Sequence, residues 1–162
     1  MNVLKIRDVK LPERGTSQSA GIDIFIPNQD DFYIKDERGE LFKLEKDLVI
    51  EPNKSYLIPA GIKMNVPENH ALIAFNKSGV ASKKNLVIGA AVIDEDYQGE
   101  IHIDIKNVGS KSQTLSAGDK ITQLLCVPVL YPDVEEVFSQ EECFGDQITQ
   151  RGEGGFGSTG TK

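Results

Sequence analysis

The chain has 162 residues, 39% hydrophobic and 27% charged, a composition suited to one globular domain with a real core. Eighteen basic against 25 acidic residues leave a net charge of −7. A field of that sign repels polyanions, which argues against a non-specific binder of nucleic acid or of an anionic membrane. No apolar run approaches the roughly 20 residues that span a bilayer, and the opening MNVLKIRDVKLPERG lacks the unbroken apolar stretch of a secretion signal. Two cysteines, Cys126 and Cys143, are too few for a disulfide framework and point to a reducing compartment.

Glycine and proline cut the chain into short pieces, and between the cuts the apolar period is mostly two. Ala20-Gly21-Ile22-Asp23-Ile24-Phe25 opens the series. Asn28 to Asp47 breaks the rhythm: it is densely charged, with Phe32, Tyr33, Leu41, Phe42 and Leu44 on either side of Asp36-Glu37-Arg38-Gly39, and reads as an exposed hairpin turning at Gly39. Ile62, Met64 and Val66 alternate with polar residues, and Leu72–Phe75 is a short buried strand.

Lys77-Ser78-Gly79 follows that strand, either as an ordinary turn or as a small anion cup of cation, hydroxyl and glycine. Leu86–Ile88 is strand-like, and Gly89 to Gly99 sets the acids Asp94, Glu95 and Asp96 between apolar segments. That stretch is either a hairpin with a solvated tip or a place where Asp94, directly after Val92-Ile93, is held near the core to orient and deprotonate a water. Ile101, Ile103 and Ile105 alternate with His102, Asp104 and Lys106, a half-buried strand. Gly118-Asp119-Lys120 turns into the apolar run Ile121–Val127, where Gln123 points at a ligand or at solvent. Asp133–Phe144 is the best candidate for a helix, though its apolar stripe is weak. Many short strands with few helices define an all-β barrel or sandwich.

The last twelve residues, RGEGGFGSTGTK, contain five glycines and match G-x-G-x-x-G. A dinucleotide fold is excluded, because that loop has to lie between a strand and a helix and here the chain stops two residues later. Two readings remain. One is a mobile linker; the other is a lid in which Arg151, Ser158 and Thr159 meet phosphate and Phe156 stacks on a base. His70 and His102 have no partners at zinc spacing, and Ser78 has no His–Asp set.

Taken in order, five segments resemble the motifs of the trimeric dUTPase family: Ala20–Phe25, Lys77–Ala81, Gly89–Glu100, Gly118–Leu124 and Arg151–Gly160. The resemblance implies a jelly-roll-like distorted β-barrel over residues 1–150, with 28–47 as a surface hairpin insertion and 151–162 as a C-terminal arm. It implies a homotrimer whose active sites lie between subunits and hydrolyse dUTP to dUMP and pyrophosphate with Mg2+. Asp94 matches the carboxylate that activates water, and Tyr97 the aromatic under the deoxyribose. Backbone around Ile88, Gly89, Val92, Ile93 and His102 would pair with uracil. Lys77, Ser78, Gly79 and Gln123 match phosphate contacts. Arg151 would reach the γ-phosphate, Phe156 would cover the base, and Gly157 and Ser158 would donate to phosphate. Asp23 would support Mg2+ through water, the ion resting mainly on phosphates and waters.

Three departures stand out: Lys77 where the family more often has arginine, Ala91 in place of glycine, and the long 28–47 stretch. The resemblance implies a cytoplasmic enzyme, or one in the host-cell cytoplasm if the source is viral. The rival activities are a dCTP deaminase of the same fold and a nucleotide-gated regulatory protein that meets a partner through 28–47.

Overall fold

Alternation along the chain translates directly into strands with one buried face. The computed structural model describes residues 1–28, 32–44 and 47–155, except for the side chains of Phe32, Phe42 and Leu44. The chain divides into two compact units, Met1–Leu130 and Tyr131–Lys162.

Among the described residues the first unit holds fourteen strands, β1 (Val3–Lys5), β2 (Glu13–Arg14), β3 (Ile22–Phe25), β4 (Phe32–Asp36), β5 (Leu41–Leu44), β6 (Leu48–Ile50), β7 (Ser55–Pro59), β8 (Ile62–Met64), β9 (His70–Asn76), β10 (Leu86–Ile88), β11 (Val92–Ile93), β12 (His102–Asn107), β13 (Gln113–Leu115) and β14 (Lys120–Pro128), and one helix, α1 (Ser78–Lys84). All observed strand pairs are antiparallel. One five-stranded sheet runs β10-β12-β7-β4-β5, another runs β11-β9-β14-β3-β2, and the pairs β1-β8 and β13-β6 complete the set. The core draws on both large sheets: Ile34, Ile58, Leu86, Ile103 and Ile105 come from the first, and Ile24, Leu72, Ala74 and Leu124 from the second. Each of these isoleucine and leucine side chains contributes about 1.5–3 kcal/mol by leaving water, and Ala74 less.

β12 shows the expected alternation, with Ile103, Ile105 and Asn107 buried while His102 and Lys106 are exposed. It begins one residue later than the apolar pattern does, because Ile101 is bonded across the sheet end: its N–H donates to Ile62 (2.9 Å) and its carbonyl accepts from Ala60 (2.8 Å). Asn107 is fully buried yet satisfied, donating to the carbonyls of Ile50 and Lys111 and accepting from the N–H of Gly109.

Segment 28–47 supplies β4 and β5, paired from Phe32↔Leu44 to Lys35↔Leu41, with the turn at Gly39 in the left-handed region (φ +80°). β4 also pairs with β7, and Ile34 is 0% exposed. β4 and β5 are therefore built into the sheet, and Ile34 into the core.

Two local expectations need correction. α1 occupies what the pattern reads as a turn after β9. It buries no residue, so no apolar stripe announces it, and it stops at Asn85, whose φ of +53° takes the left-handed cap. In the second unit, helix α2 covers only Gln140–Phe144. Ser139 accepts from the N–H of Glu142, while Glu142 accepts from the N–H of Phe138, a reciprocal cap that the Ser-x-x-Glu spacing encodes. Among the described residues no helix is long and apolar enough to cross a membrane.

Candidate active site

The first cluster forms where β3, β9 and β14 lie side by side. Register sets Gln123 of β14 against Asp23 of β3 on one side and Phe75 of β9 on the other. Asp23 is 4% exposed, a burial that a carboxylate tolerates only when paired. Its Oδ1 receives the ammonium of Lys77, and its Oδ2 that of Lys120 at 2.8 Å. Burial pushes the Asp23 carboxyl up, but the hydrogen bonds from Lys120 and Lys77 outweigh it and hold the group below its ordinary 3.8. The Lys120 ammonium is raised in turn, chiefly by its bond to Asp23.

Lys77 sits in extended backbone immediately before α1, so Ser78 and Gly79 form the first turn. Their N–H groups have no intrahelical acceptor, and nothing lies within 4 Å of where a side chain on Gly79 would begin. A depression of about 320 Å³ opens there, walled by Lys77, Gly79, Lys83, Lys84, Asp119 and Lys120. Gln123, opposite Asp23 in the sheet, donates from Nε2 to the Asn76 carbonyl at 3.0 Å. A side chain at Gly21 would meet the Gln123 Oε1 at 2.2 Å, so this close approach requires glycine. Asn76 carries the link onward, since its Oδ1 accepts from the N–H of Ile88 at 2.8 Å.

Asp94 and Tyr97 lie elsewhere. The 89–100 stretch is not a simple hairpin between β10 and β12, which pair with each other directly. It leaves that sheet, and β11 crosses to the edge of the other one, pairing Val92↔Ile73 and Ile93↔Leu72 of β9. The chain then turns, with the Tyr97 N–H donating to the Asp94 carbonyl and Glu95 accepting from the N–H of Asn69. Asp94 is exposed within this chain, so of the two readings of this stretch it is the solvated one that the fold shows.

Lys77 follows one end of β9, and the acidic turn lies beside the other. Asp94 extends the β11 register to the level of Ala71, six residues from Lys77, or about 20 Å at roughly 3.3 Å per residue. Groups that act on one phosphate chain lie about 3–3.5 Å from the atoms they act on. Within one chain, then, Asp23, Lys77, Ser78, Gly79 and Gln123 come together, and Asp94 and Tyr97 do not join them.

Among the backbone groups assigned to base pairing, the N–H of Ile88 is committed to Asn76 and that of Gly89 to the Asp104 carbonyl (2.9 Å). Val92 is exposed and Ile93 half-buried. His102 is exposed, its Nδ1 2.9 Å from the Glu100 carbonyl. In the second unit Arg151 donates from Nε to the Gly154 carbonyl at 2.7 Å. Phe156, Gly157 and Ser158 lie outside the described residues. Lys120 was missed by the sequence reading; its place two residues before Thr122 on a strand facing Asp23 becomes informative only once β14 and β3 are known to pair.

These features define a mostly β protein that carries a lysine- and glycine-lined depression at one end of a central strand and an acid–tyrosine turn at the other. The dUTPase family model matches residues 41–160. The deoxyuridine 5′-triphosphate nucleotidohydrolase of Hydrogenovibrio crunogenus is 35% identical over 158 residues, covering 96% of this chain and 90% of that one. The enzyme of the same name from fowlpox virus is 35% identical, covering 100% and 98%. Among solved structures, a dUTPase of phage 80alpha superposes with a TM-score of 0.76 at 26% identity, covering 97% of this chain and 96% of that one. This chain belongs to the dUTPase family.

Proposed function

We propose that the protein is a dUTP diphosphatase whose reacting groups are assembled from more than one copy of the chain. dUTP is hydrolysed to dUMP and pyrophosphate: water attacks the α-phosphorus, the bond from that phosphorus to the α,β-bridging oxygen breaks, and pyrophosphate leaves. Asp94 accepts the proton of the attacking water and orients it. Lys77, Gln123 and the N–H groups of Ser78 and Gly79 receive the phosphate oxygens, with the positive charge that the transition state requires. Tyr97 packs under the deoxyribose, and the arm 151–162 supplies Arg151, Phe156, Gly157 and Ser158 as a closing lid that excludes water and then releases product.

The observation that carries this reading is the separation of the cup from the acid–tyrosine turn along β9, in a chain of this family. A homotrimer of jelly-roll-like subunits, each lending its turn to a neighbour's cup, unites the two halves. The outward face of β9 and its neighbours supports such an assembly, since Phe75 is 47% and Val92 63% exposed.

Mg2+ fits as an ion carried by the substrate. Both oxygens of Asp23 are taken by ammonium groups, and among the described residues no group of three His, Cys, Asp or Glu side chains is placed to hold a metal. When bound, the ion neutralises phosphate charge and keeps most of its waters. Asp23 then acts on it only at a distance, by fixing the two lysines.

A dCTP deaminase needs a glutamate in the 89–100 stretch free to move protons on the base. Both glutamates there are occupied: Glu95 accepts from the N–H of Asn69, and Glu100 from Arg7 and Gly61. The test is release of pyrophosphate and of ammonia across dUTP, dCTP, dTTP and UTP. Pyrophosphate from dUTP alone is expected; ammonia from dCTP would overturn the assignment.

A further inference from the structure

We propose that the ion pair between Arg7 and Glu100 is a positioning device for Tyr97, and through it a determinant of the rejection of ribonucleotides. This rests on the reading of Tyr97 as the aromatic packed against the sugar.

Tyr97 is 42% exposed, so packing alone does not hold it. Two features do. Its hydroxyl donates to the Glu100 carbonyl at 2.7 Å. Its ring lies on Gly99, where a Cβ would come within 2.4–2.9 Å of the ring atoms and the hydroxyl. The position of the ring is therefore set by the position of the Glu100 carbonyl, which also lies 2.9 Å from the Nδ1 of His102.

Glu100 is anchored by its own side chain, 13% exposed. Oε1 accepts from Arg7 Nε at 2.8 Å and from the Gly61 N–H at 2.9 Å, and Oε2 accepts from Arg7 Nη2 at 3.1 Å. Arg7 is fixed from behind, because the N–H groups of Ile6 and Arg7 both donate to the Gly61 carbonyl, at 2.9 and 3.2 Å. The guanidinium is raised above its ordinary value, chiefly by the bond to Glu100, which outweighs its partial burial. The segment after β1, the link between β7 and β8, and the Tyr97 turn thus close on one carboxylate through a planar fork, a geometry that lysine cannot reproduce.

Exclusion of a 2′-hydroxyl is steric, so it depends on how firmly the ring is held; a displacement of about 1 Å is enough to change rates severely. Loosening the anchor frees the ring to yield to the hydroxyl without touching the groups that act on phosphate.

The test compares kcat and KM for dUTP and UTP in the full-length protein and in Arg7→Met, Arg7→Lys, Tyr97→Phe and Tyr97→Ala. Arg7→Met is expected to lower the ratio of kcat/KM for dUTP over UTP by about tenfold, the scale of one lost hydrogen bond. The change should appear mainly in KM for UTP, with kcat on dUTP altered less than the ratio. Arg7→Lys should lie between wild type and Arg7→Met. Tyr97→Phe, which lacks the hydroxyl, should match Arg7→Met, and the two changes together should fall short of additive. An unchanged ratio in Arg7→Met, or an equal loss of kcat on both nucleotides, overturns the proposal. If Arg7→Met does not fold, Arg7→Lys carries the test, and an unchanged ratio there overturns it equally. Should Tyr97→Ala still reject UTP, the sugar role of Tyr97 itself falls, a failure distinct from that of the anchor.

Discussion

If the cup and the water-activating acid belong to different chains, two inactive variants should repair each other. Lys77→Gln removes one cation of the cup, and Asp94→Asn removes the base, a loss expected to cost about 10²–10⁴ in turnover. Each homo-oligomer is then defective at every site. In mixed assemblies a site works when its cup comes from an Asp94→Asn chain and its turn from a Lys77→Gln chain. At equal mixing each condition holds for half of the positions, so about one quarter of the sites are complete. The roughly 20 Å between the two regions along β9 is what excludes repair within one chain. The assay is pyrophosphate release from dUTP by differently tagged variants, co-expressed and purified through both tags. Purification through both tags removes the homotrimers, and each mixed trimer keeps one complete site in three, so recovery near a third of wild-type activity per chain supports sharing between subunits. Activity no greater than the sum of the two parents would refute the reasoning, because it would place both groups on the same chain at each site.

Three further outcomes are expected. Deletion of residues 151–162 should leave the circular dichroism and the unfolding midpoint nearly unchanged while turnover collapses; full activity would reduce the arm to a linker. Ile34→Ala should cost about 2–4 kcal/mol in urea unfolding, because Ile34 is 0% exposed in β4, whereas Leu41→Ala, at 63% exposure, should cost little; equal small losses would mean that the hairpin lies outside the core. For Asp23 the carboxyl is depressed in the fold, so its contribution is fully present above its ordinary 3.8 and is lost as pH falls through the lower folded value. Urea midpoints measured between pH about 3 and 6 should therefore drop on the acid side in the wild type and less in Asp23→Asn; parallel curves would show that Asp23 is not the group responsible.

Much of the first unit is legible in the sequence because strand burial has a local period. Ile101, Ile103 and Ile105 announce one strand, and Ile62 and Met64 another, before any partner is known. The helix α1 is not legible, since it buries nothing and so imposes no periodic demand on its residues. The cup is half legible: Lys77, Ser78 and Gly79 are adjacent in the chain, but Lys120 joins Asp23 across nearly a hundred residues, through a register that only strand pairing sets.

The sequence alone determined the acidic charge, the strand-rich class and the order of five motifs, because composition and period-two burial are properties of neighbouring residues. Tertiary structure decided which motifs meet. β11 leaves β10 and β12 for β9, which carries Asp94 away from Lys77, and Glu100 turns its carboxylate to Arg7 and the Gly61 N–H. Such choices follow from sheet register and from satisfying buried charge, and both bring together residues that no local pattern relates.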